Sequence, residues 1–211
     1  MIITRDRLIF IDNPKCASST MRTYYSQIRH KIIFQSMKRI DKCDYGYEDP
    51  DYVHANVAGI FRYLKTIGQI ENFTCFTTIR NPYDRFWSNY RYYKKNNPDS
   101  AHTLETFMNR DQTKMFFPHN FRYYKGFGIT NLIRVENLTE DLSKYNRLHN
   151  IGFKKIDNRR QNVSKNIVQD FCFTNKIVDY INKNYELDFI DGKYSFETAE
   201  DINKRLFGEQ K

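Results

Sequence analysis

Residues 9–20 read Ile-Phe-Ile-Asp-Asn-Pro-Lys-Cys-Ala-Ser-Ser-Thr. The apolar run before Asp12 stops at Pro14, and a helix-like segment begins near Ser19, so the pattern predicts a strand, a tight turn and a helix start. Backbone N–H groups at a helix start have no partner inside the helix, and the helix dipole favours negative charge there. With the ammonium of Lys15 and the hydroxyls that follow it, the turn is typical of a phosphate or sulfate site. A turn capped by a hydroxyl is the structural alternative.

The order of residues in this turn differs from that of the nucleotide-triphosphate loop. That loop follows the pattern G-x-x-x-x-G-K-[ST], with its glycines before the lysine. Here Lys15 comes first and residues 12–20 contain no glycine. A P-loop nucleotide kinase is nevertheless the main alternative enzyme, because it also binds its anion in a turn between a strand and a helix. It would need a later lysine and an acidic strand end for Mg²⁺.

A second strand-to-helix junction follows the apolar strand predicted at 73–79. Residues 79–90 read Ile-Arg-Asn-Pro-Tyr-Asp-Arg-Phe-Trp-Ser-Asn-Tyr. Arg80 stands where the strand ends, which is where open α/β sheets bind ligands, and Ser88 follows two turns into the helix. A guanidinium binds a terminal phosphate through two parallel hydrogen bonds. An ion pair between Arg80 and Asp84, with a packing role for Ser88, is the structural alternative.

Four segments resemble, in the same order, the PAPS-dependent carbohydrate sulfotransferases of the membrane-associated, heparan- and chondroitin-like type. They are the lysine turn, the arginine segment, residues 132–142 (Leu-Ile-Arg-Val-Glu-Asn-Leu-Thr-Glu-Asp-Leu) and residues 180–189 (Tyr-Ile-Asn-Lys-Asn-Tyr-Glu-Leu-Asp-Phe). The resemblance spans nearly the whole chain and implies a P-loop-like sulfotransferase fold. It also implies transfer of a sulfuryl group from 3′-phosphoadenosine 5′-phosphosulfate (PAPS) to an acceptor hydroxyl, which leaves 3′-phosphoadenosine 5′-phosphate (PAP).

The resemblance further implies that the two junctions bind opposite ends of the donor. The 5′-phosphosulfate is expected at Lys15, Cys16, Ala17, Ser18, Ser19 and Thr20. The 3′-phosphate is expected at Arg80 and Ser88, and Arg160 and Lys165 of a polar loop are expected to close over the nucleotide. Such transfer depends on alignment and electrostatic stabilisation, with Lys15 stabilising the leaving phosphate, and no metal is expected.

An acceptor hydroxyl also needs a base to take its proton. Among the five histidines, we expect His54 to serve, because a histidine-bearing segment at this place supplies the base in the related uronyl-type sulfotransferases. His119, inside the basic and aromatic stretch 111–128, is the alternative. Carboxylates at 48, 49 and 51 also stay open.

The alternation of strand and helix signals predicts an α/β fold with a central, mostly parallel sheet flanked by helices. The 211 residues are enough for a single domain over 1–211. Strands are predicted at 8–11, 73–79 and 131–135, and helices at 19–31, within 53–68, and at 82–95, 103–109, 138–148 and 167–185.

The formal charge of +9 favours an anionic partner such as a nucleotide, a sulfated glycan or nucleic acid. A non-catalytic nucleic-acid-binding module is the alternative from another class, supported only by the interleaved tyrosines and basic residues at 90–94. The basic residues are otherwise scattered, and no nucleic-acid-binding motif is present. We expect no nucleic-acid partner and a carbohydrate hydroxyl as the acceptor.

The cysteines indicate a reducing compartment. Cys16, Cys43, Cys75 and Cys172 have neither metal-ligand nor redox spacing and are predicted to be free thiols. The chain shows no signal peptide and no apolar run that is long enough to cross a membrane. We therefore expect a cytoplasmic microbial or viral enzyme, with a trimmed Golgi-lumenal domain as the alternative. The sequence does not indicate the oligomeric state.

Overall fold

The structure is a computed structural model that describes residues 2–4, 7–27, 32–35, 65, 73–109, 131–148 and 171–208. The described strands form one five-stranded sheet in the order β3-β1-β2-β4-β5. They are β1 (Ile2–Thr4), β2 (Leu8–Ile11), β3 (Ile32–Gln35), β4 (Thr74–Ile79) and β5 (Asn131–Arg134). Strands β2, β4 and β5 run parallel, whereas β1 runs antiparallel to both of its neighbours. The predicted α/β fold is confirmed, with three parallel strands flanked by helices, and the two antiparallel strands β1 and β3 extend the sheet on one side.

Seven helices have defined bounds within the described residues. They are α1 (Ser18–Ser26), α2 (Pro82–Asn96), α3 (Leu104–Met108), α4 (Leu138–Leu148), α5 (Asn175–Asn184), α6 (Glu186–Gly192) and α7 (Ala199–Phe207). The chain divides into two compact units, unit 1 (Met1–Ile79 and His119–Gln161) and unit 2 (Arg80–Pro118 and Asn162–Lys211). The sheet, α1 and α4 belong to unit 1. The single sulfotransferase domain over 1–211 stays a prediction.

The core of unit 1 is built on the parallel strands. Phe10 and Phe76 are register partners on β2 and β4, with ring centroids 5.4 Å apart. Tyr145 of α4 packs on Phe76 at 4.5 Å between ring centroids. Ile9 and Ile11 point to the opposite face, because side chains alternate along a strand, and they are also fully buried. A parallel strand buried on both faces explains the continuous apolar run that marks β2 in the sequence.

The core of unit 2 is aromatic and centres on α2. Phe86, Tyr90 and Tyr93 are buried on this helix and pack against Phe107 of α3. Trp87 contacts Phe207 of α7 edge-on, with ring centroids 5.1 Å apart. Burying an apolar side chain of this size stabilises a fold by about 1.5–3 kcal/mol. The tyrosines at 90 and 93 are therefore core residues.

Helix α5 begins at Asn175, whereas the amphipathic pattern predicted a helix over 167–185. Residues 171–174 are not helical. The Phe173 backbone exchanges two hydrogen bonds with the Asn203 side chain, one from Phe173 N to Oδ1 at 2.6 Å and one from Nδ2 to Phe173 O at 2.9 Å. Thr174 has an extended backbone with ψ 162°, so the helix cannot extend back through it. The part before residue 171 lies outside the described residues, as does the helix predicted within 53–68 apart from the helical Lys65.

Candidate functional site

The turn between β2 and α1 has an uncommon backbone conformation. Lys15 (φ 63°) and Ala17 (φ 62°) both adopt the left-handed region, which costs a residue with a side chain about 1–2 kcal/mol. Ser18, the next residue, begins the right-handed helix α1. Successive residues of opposite hand direct their N–H groups into a concave nest that binds anions. The strained residues therefore lie in the turn where the sequence predicts an anion. Strained backbone is often found at ligand-binding sites.

The N-cap position of α1 holds a residue without a side-chain hydrogen-bonding group. The N-cap residue is Ala17, and it makes no side-chain capping hydrogen bond, so the hydroxyl-capped turn considered as the structural alternative is wrong. The Ser18 hydroxyl instead donates to the Asn13 carbonyl at 3.0 Å and closes the turn. Ser19 is exposed and Thr20 is half-buried. The N–H groups at the start of α1 can therefore serve as donors to an anion.

Buried polar residues hold the turn in place. Asn13 Nδ2 donates to the Thr78 carbonyl at 3.0 Å, and Thr78 Oγ1 donates to the Cys16 carbonyl at 2.5 Å. The buried carboxylate of Asp12 forms an ion pair with Arg22 of α1. These contacts tie both ends of the turn to β4 and α1, which lets a strained backbone persist. These supporting residues were not predicted, although the polar side chains in and directly after apolar strands are a signal for such contacts.

Substitutions at Ala17 test the left-handed conformation. Glycine adopts this conformation without strain but loses more entropy on folding, so we expect Ala17→Gly to stay within about 1 kcal/mol of wild type in free energy of unfolding. Valine is β-branched and disfavoured at positive φ, so Ala17→Val should lower that free energy by about 2 kcal/mol. Urea unfolding followed by circular dichroism measures both. A valine variant as stable as wild type would contradict the assigned backbone.

The second candidate half-site lies at the start of α2 in unit 2. Arg80 is the first residue after β4, and Asn81 caps the helix. Asn81 Oδ1 accepts from Tyr83 N at 2.9 Å, and Asn81 Nδ2 donates to Glu197 Oε1 at 3.0 Å. The backbone next to Arg80 is therefore fixed both to the helix and to the segment before α7.

Asp84, the proposed ion-pair partner of Arg80 in the structural alternative, binds Arg205. Arg205 Nη1 lies 2.5 Å from Asp84 Oδ1, 121 residues away in the chain. The same guanidinium donates to both Glu197 oxygens, at 2.8 and 3.0 Å. Glu197 and Arg205 were not predicted, because contacts between residues so far apart in the chain leave no local sequence pattern. Arg205 thus stabilises the start of α2 through two carboxylates.

Ser88 lies on the partly accessible face of α2. Asp84, Ser88 and Arg91 follow one another at spacings of four and three residues, which places them on one side of a helix. All three are half-buried, whereas the aromatic residues between them are in the core. A hydroxyl on this face is accessible to a ligand as a donor.

Four predicted site residues, His54, His119, Arg160 and Lys165, lie outside the described residues. Their roles as base and as nucleotide-covering residues stay predictions. His102 is described, and its Nδ1 lies 3.3 Å from Thr106 Oγ1 in a local contact near the start of α3. The choice of base, His54 with His119 as the alternative, therefore stays a prediction.

Other kinds of site find little support in the described part of the chain. No group of three or more histidine, cysteine or acidic side chains there is arranged to hold a metal ion. Within the same residues, no helix has the length and apolarity needed to cross a membrane. The described cysteines, Cys16, Cys75 and Cys172, are free thiols. Burial raises the pKa of Cys75 to about 11, which makes it a poor nucleophile near neutral pH.

Comparison with known proteins adds no further guide to this geometry. No family model, no curated protein and no solved structure matches the chain. The function is therefore inferred from the residues of the two half-sites.

Proposed function

We propose that the protein is a PAPS-dependent sulfotransferase with a P-loop-like sulfotransferase fold. In this proposal it moves a sulfuryl group from PAPS to a hydroxyl group of a carbohydrate acceptor. The observation that carries the proposal is the glycine-free turn after β2. There, left-handed Lys15 and Ala17 precede a helix whose N-cap residue makes no side-chain capping hydrogen bond. The motif resemblance supplies the identity of the anion.

The Lys15 ammonium has the central role in the proposed reaction. As the acceptor oxygen attacks sulfur in line, the bond between sulfur and the bridging oxygen breaks, and negative charge develops on the oxygen that stays with PAP. Lys15 is positioned at the head of the turn to neutralise that charge, and the N–H groups of α1 hold the phosphate. The acceptor proton goes to a base, for which we propose His54, with His119 as the alternative.

The proposal assigns the 3′-phosphate to unit 2. Arg80 offers a planar fork of donors that matches phosphate oxygens, and Ser88 offers a hydroxyl from the accessible face of α2. Arg160 and Lys165 are proposed to cover the nucleotide. A crystal soaked with PAP would test directly whether its 3′-phosphate contacts Arg80 and Ser88.

The rival functions agree less well with the described residues. A P-loop kinase needs its lysine after the small residues and an acidic strand end for Mg²⁺, but Lys15 comes first and β4 is followed by Arg80. A nucleic-acid-binding module needs exposed aromatic rings on which bases stack. Tyr90 and Tyr93 are only 0% and 6% exposed, respectively, so of the three tyrosines at 90–94 only Tyr92, 52% exposed, offers a ring for stacking.

Nucleotide binding tests the proposal first. At 100 times its dissociation constant, PAP should raise the free energy of unfolding of the wild type by about 2.7 kcal/mol. We therefore expect PAP to raise the melting temperature, while ATP with Mg²⁺ has little effect. Arg80→Ala removes a charged double hydrogen bond, so PAP affinity should fall by about 10- to 100-fold. Thermal shift and isothermal titration measure both effects, and Lys95→Ala, an exposed change on the same helix, serves as the control.

A transfer assay tests catalysis separately from nucleotide binding. Labelled PAPS incubated with a panel of glycans, followed by mass spectrometry of the products, should show a sulfated hydroxyl. Stabilisation by ATP with Mg²⁺ and not by PAP would favour the kinase. PAP binding that Arg80→Ala leaves unchanged would remove Arg80 from the site.

A further inference from the structure

We infer that Arg91 is a third ligand of the unit 2 site, and that with Arg80 and Ser88 it forms a two-arginine clamp for a dianionic phosphate monoester. The identity of that phosphate, the 3′-phosphate of the donor, rests on the proposed function. The clamp itself is inferred from the charges and positions on α2. Nothing in the motif resemblance assigns a role to Arg91.

The position of Arg91 on α2 places it beside Ser88. The two residues are three apart, so they are neighbours on the same face of the helix, and both are half-buried. Long side chains on a helix point back towards its N-terminus. We therefore expect the Arg91 side chain to extend towards Ser88 and towards the helix start that Arg80 precedes.

The charges on this face support an anion between the two arginines. Burial lowers the pKa of Arg91, and the positive charge of Arg80 lowers it further. Asp84 is the only acidic residue of α2, and its carboxylate binds Arg205 at 2.5 Å. A bound dianion would turn the repulsion between Arg80 and Arg91 into attraction to a shared ligand.

The chemistry of the cluster selects the class of ligand. Each guanidinium can donate two parallel hydrogen bonds to phosphate oxygens, and Ser88 can donate one more. Five donors and two positive charges suit the terminal oxygens and the two negative charges of a phosphate monoester. A sulfate ester carries a single negative charge and would gain less from the second arginine.

Paired nucleotides test Arg91 by isothermal titration. PAP and adenosine 5′-phosphate differ only in the 3′-phosphate, so Arg91→Gln should lower PAP affinity by about 10- to 100-fold and change adenosine 5′-phosphate affinity less than about twofold. Lys95→Gln, one turn further along the helix and exposed, should change neither. Without ligand, Arg91→Gln should melt at or above the wild-type temperature, because it relieves the repulsion with Arg80, whereas loss of a structural residue would lower it.

The outcomes separate this inference from the proposed function. If Arg91→Gln binds PAP as well as wild type while Arg80→Ala does not, the clamp is wrong and the sulfotransferase proposal stands. If the wild type binds neither nucleotide, the proposed function fails, and inorganic phosphate decides the clamp. Phosphate should then raise the wild-type melting temperature above that in potassium chloride of equal ionic strength, and Arg91→Gln should lose this response. An equal response in both proteins would overturn the clamp.

Discussion

Under the proposed sulfotransferase function, Lys15→Ala is expected to slow sulfuryl transfer by about 100- to 1,000-fold while the fold is retained. The ammonium is the only positive charge in the turn at residues 12–20, and Lys15 precedes the first residue of α1 by three positions. Its charge is needed most when the sulfur–oxygen bond breaks, so turnover at saturating PAPS should fall further than PAP affinity. Labelled-PAPS transfer measures the first quantity and isothermal titration measures the second.

A glycine variant separates the charge of Lys15 from its backbone conformation. Lys15 has φ 63°, and glycine adopts this angle freely, whereas alanine keeps the strain. Lys15→Gly and Lys15→Ala both lack the ammonium, so a charge role predicts equally slow transfer in both. Recovery of activity in the glycine variant would show that the turn, not the charge, limits the alanine variant. Wild-type turnover in Lys15→Ala would remove Lys15 from the reaction.

The junctions that carry the candidate site could be read from the sequence because their signals are local. β2 and α4 have the predicted bounds, and the start of α2 follows from Pro82 after the capping Asn81. A buried parallel strand appears as a continuous apolar run, and a proline in the first helical turn marks the helix start. These two rules place Lys15 after one strand and Arg80 after its parallel neighbour.

The remaining elements depend on residues far apart in the chain. β1 and β3 have three and four residues, and neither was predicted. β1 pairs antiparallel with β3 and with β2, and strands this short carry little local signal without those partners. The predicted helix at 19–31 stops at Ser26, because β3 already begins at Ile32. The left-handed backbone at Lys15 and Ala17 also lacked a local signal, since propensity alone would place glycine there. Bracing of the turn from β4 overrides that preference.

Asp188→Ala is expected to lower the free energy of unfolding of unit 2 by about 3–5 kcal/mol. Arg85 Nη1 lies 3.0 Å from Asp188 Oδ2, and both side chains are 1% exposed, so removing the acid leaves a guanidinium charge buried. Trp87, the single tryptophan of the chain, lies in the core of the same unit. Its fluorescence during urea unfolding therefore reports the stability of this unit.

The double variant Arg85→Met with Asp188→Leu shows whether that loss comes from an uncompensated charge. Replacing both partners of a buried ion pair by apolar groups of similar size is often neutral or stabilising, so the double variant should recover most of the stability that Asp188→Ala loses. Both residues belong to segments that resemble the sulfotransferases, yet their burial excludes direct contact with a soluble acceptor. A folded double variant should therefore keep its affinity for PAP and its transfer rate. If it folds fully but transfers no sulfuryl group, Arg85 or Asp188 acts in the reaction, and the structural role assigned to this pair is wrong.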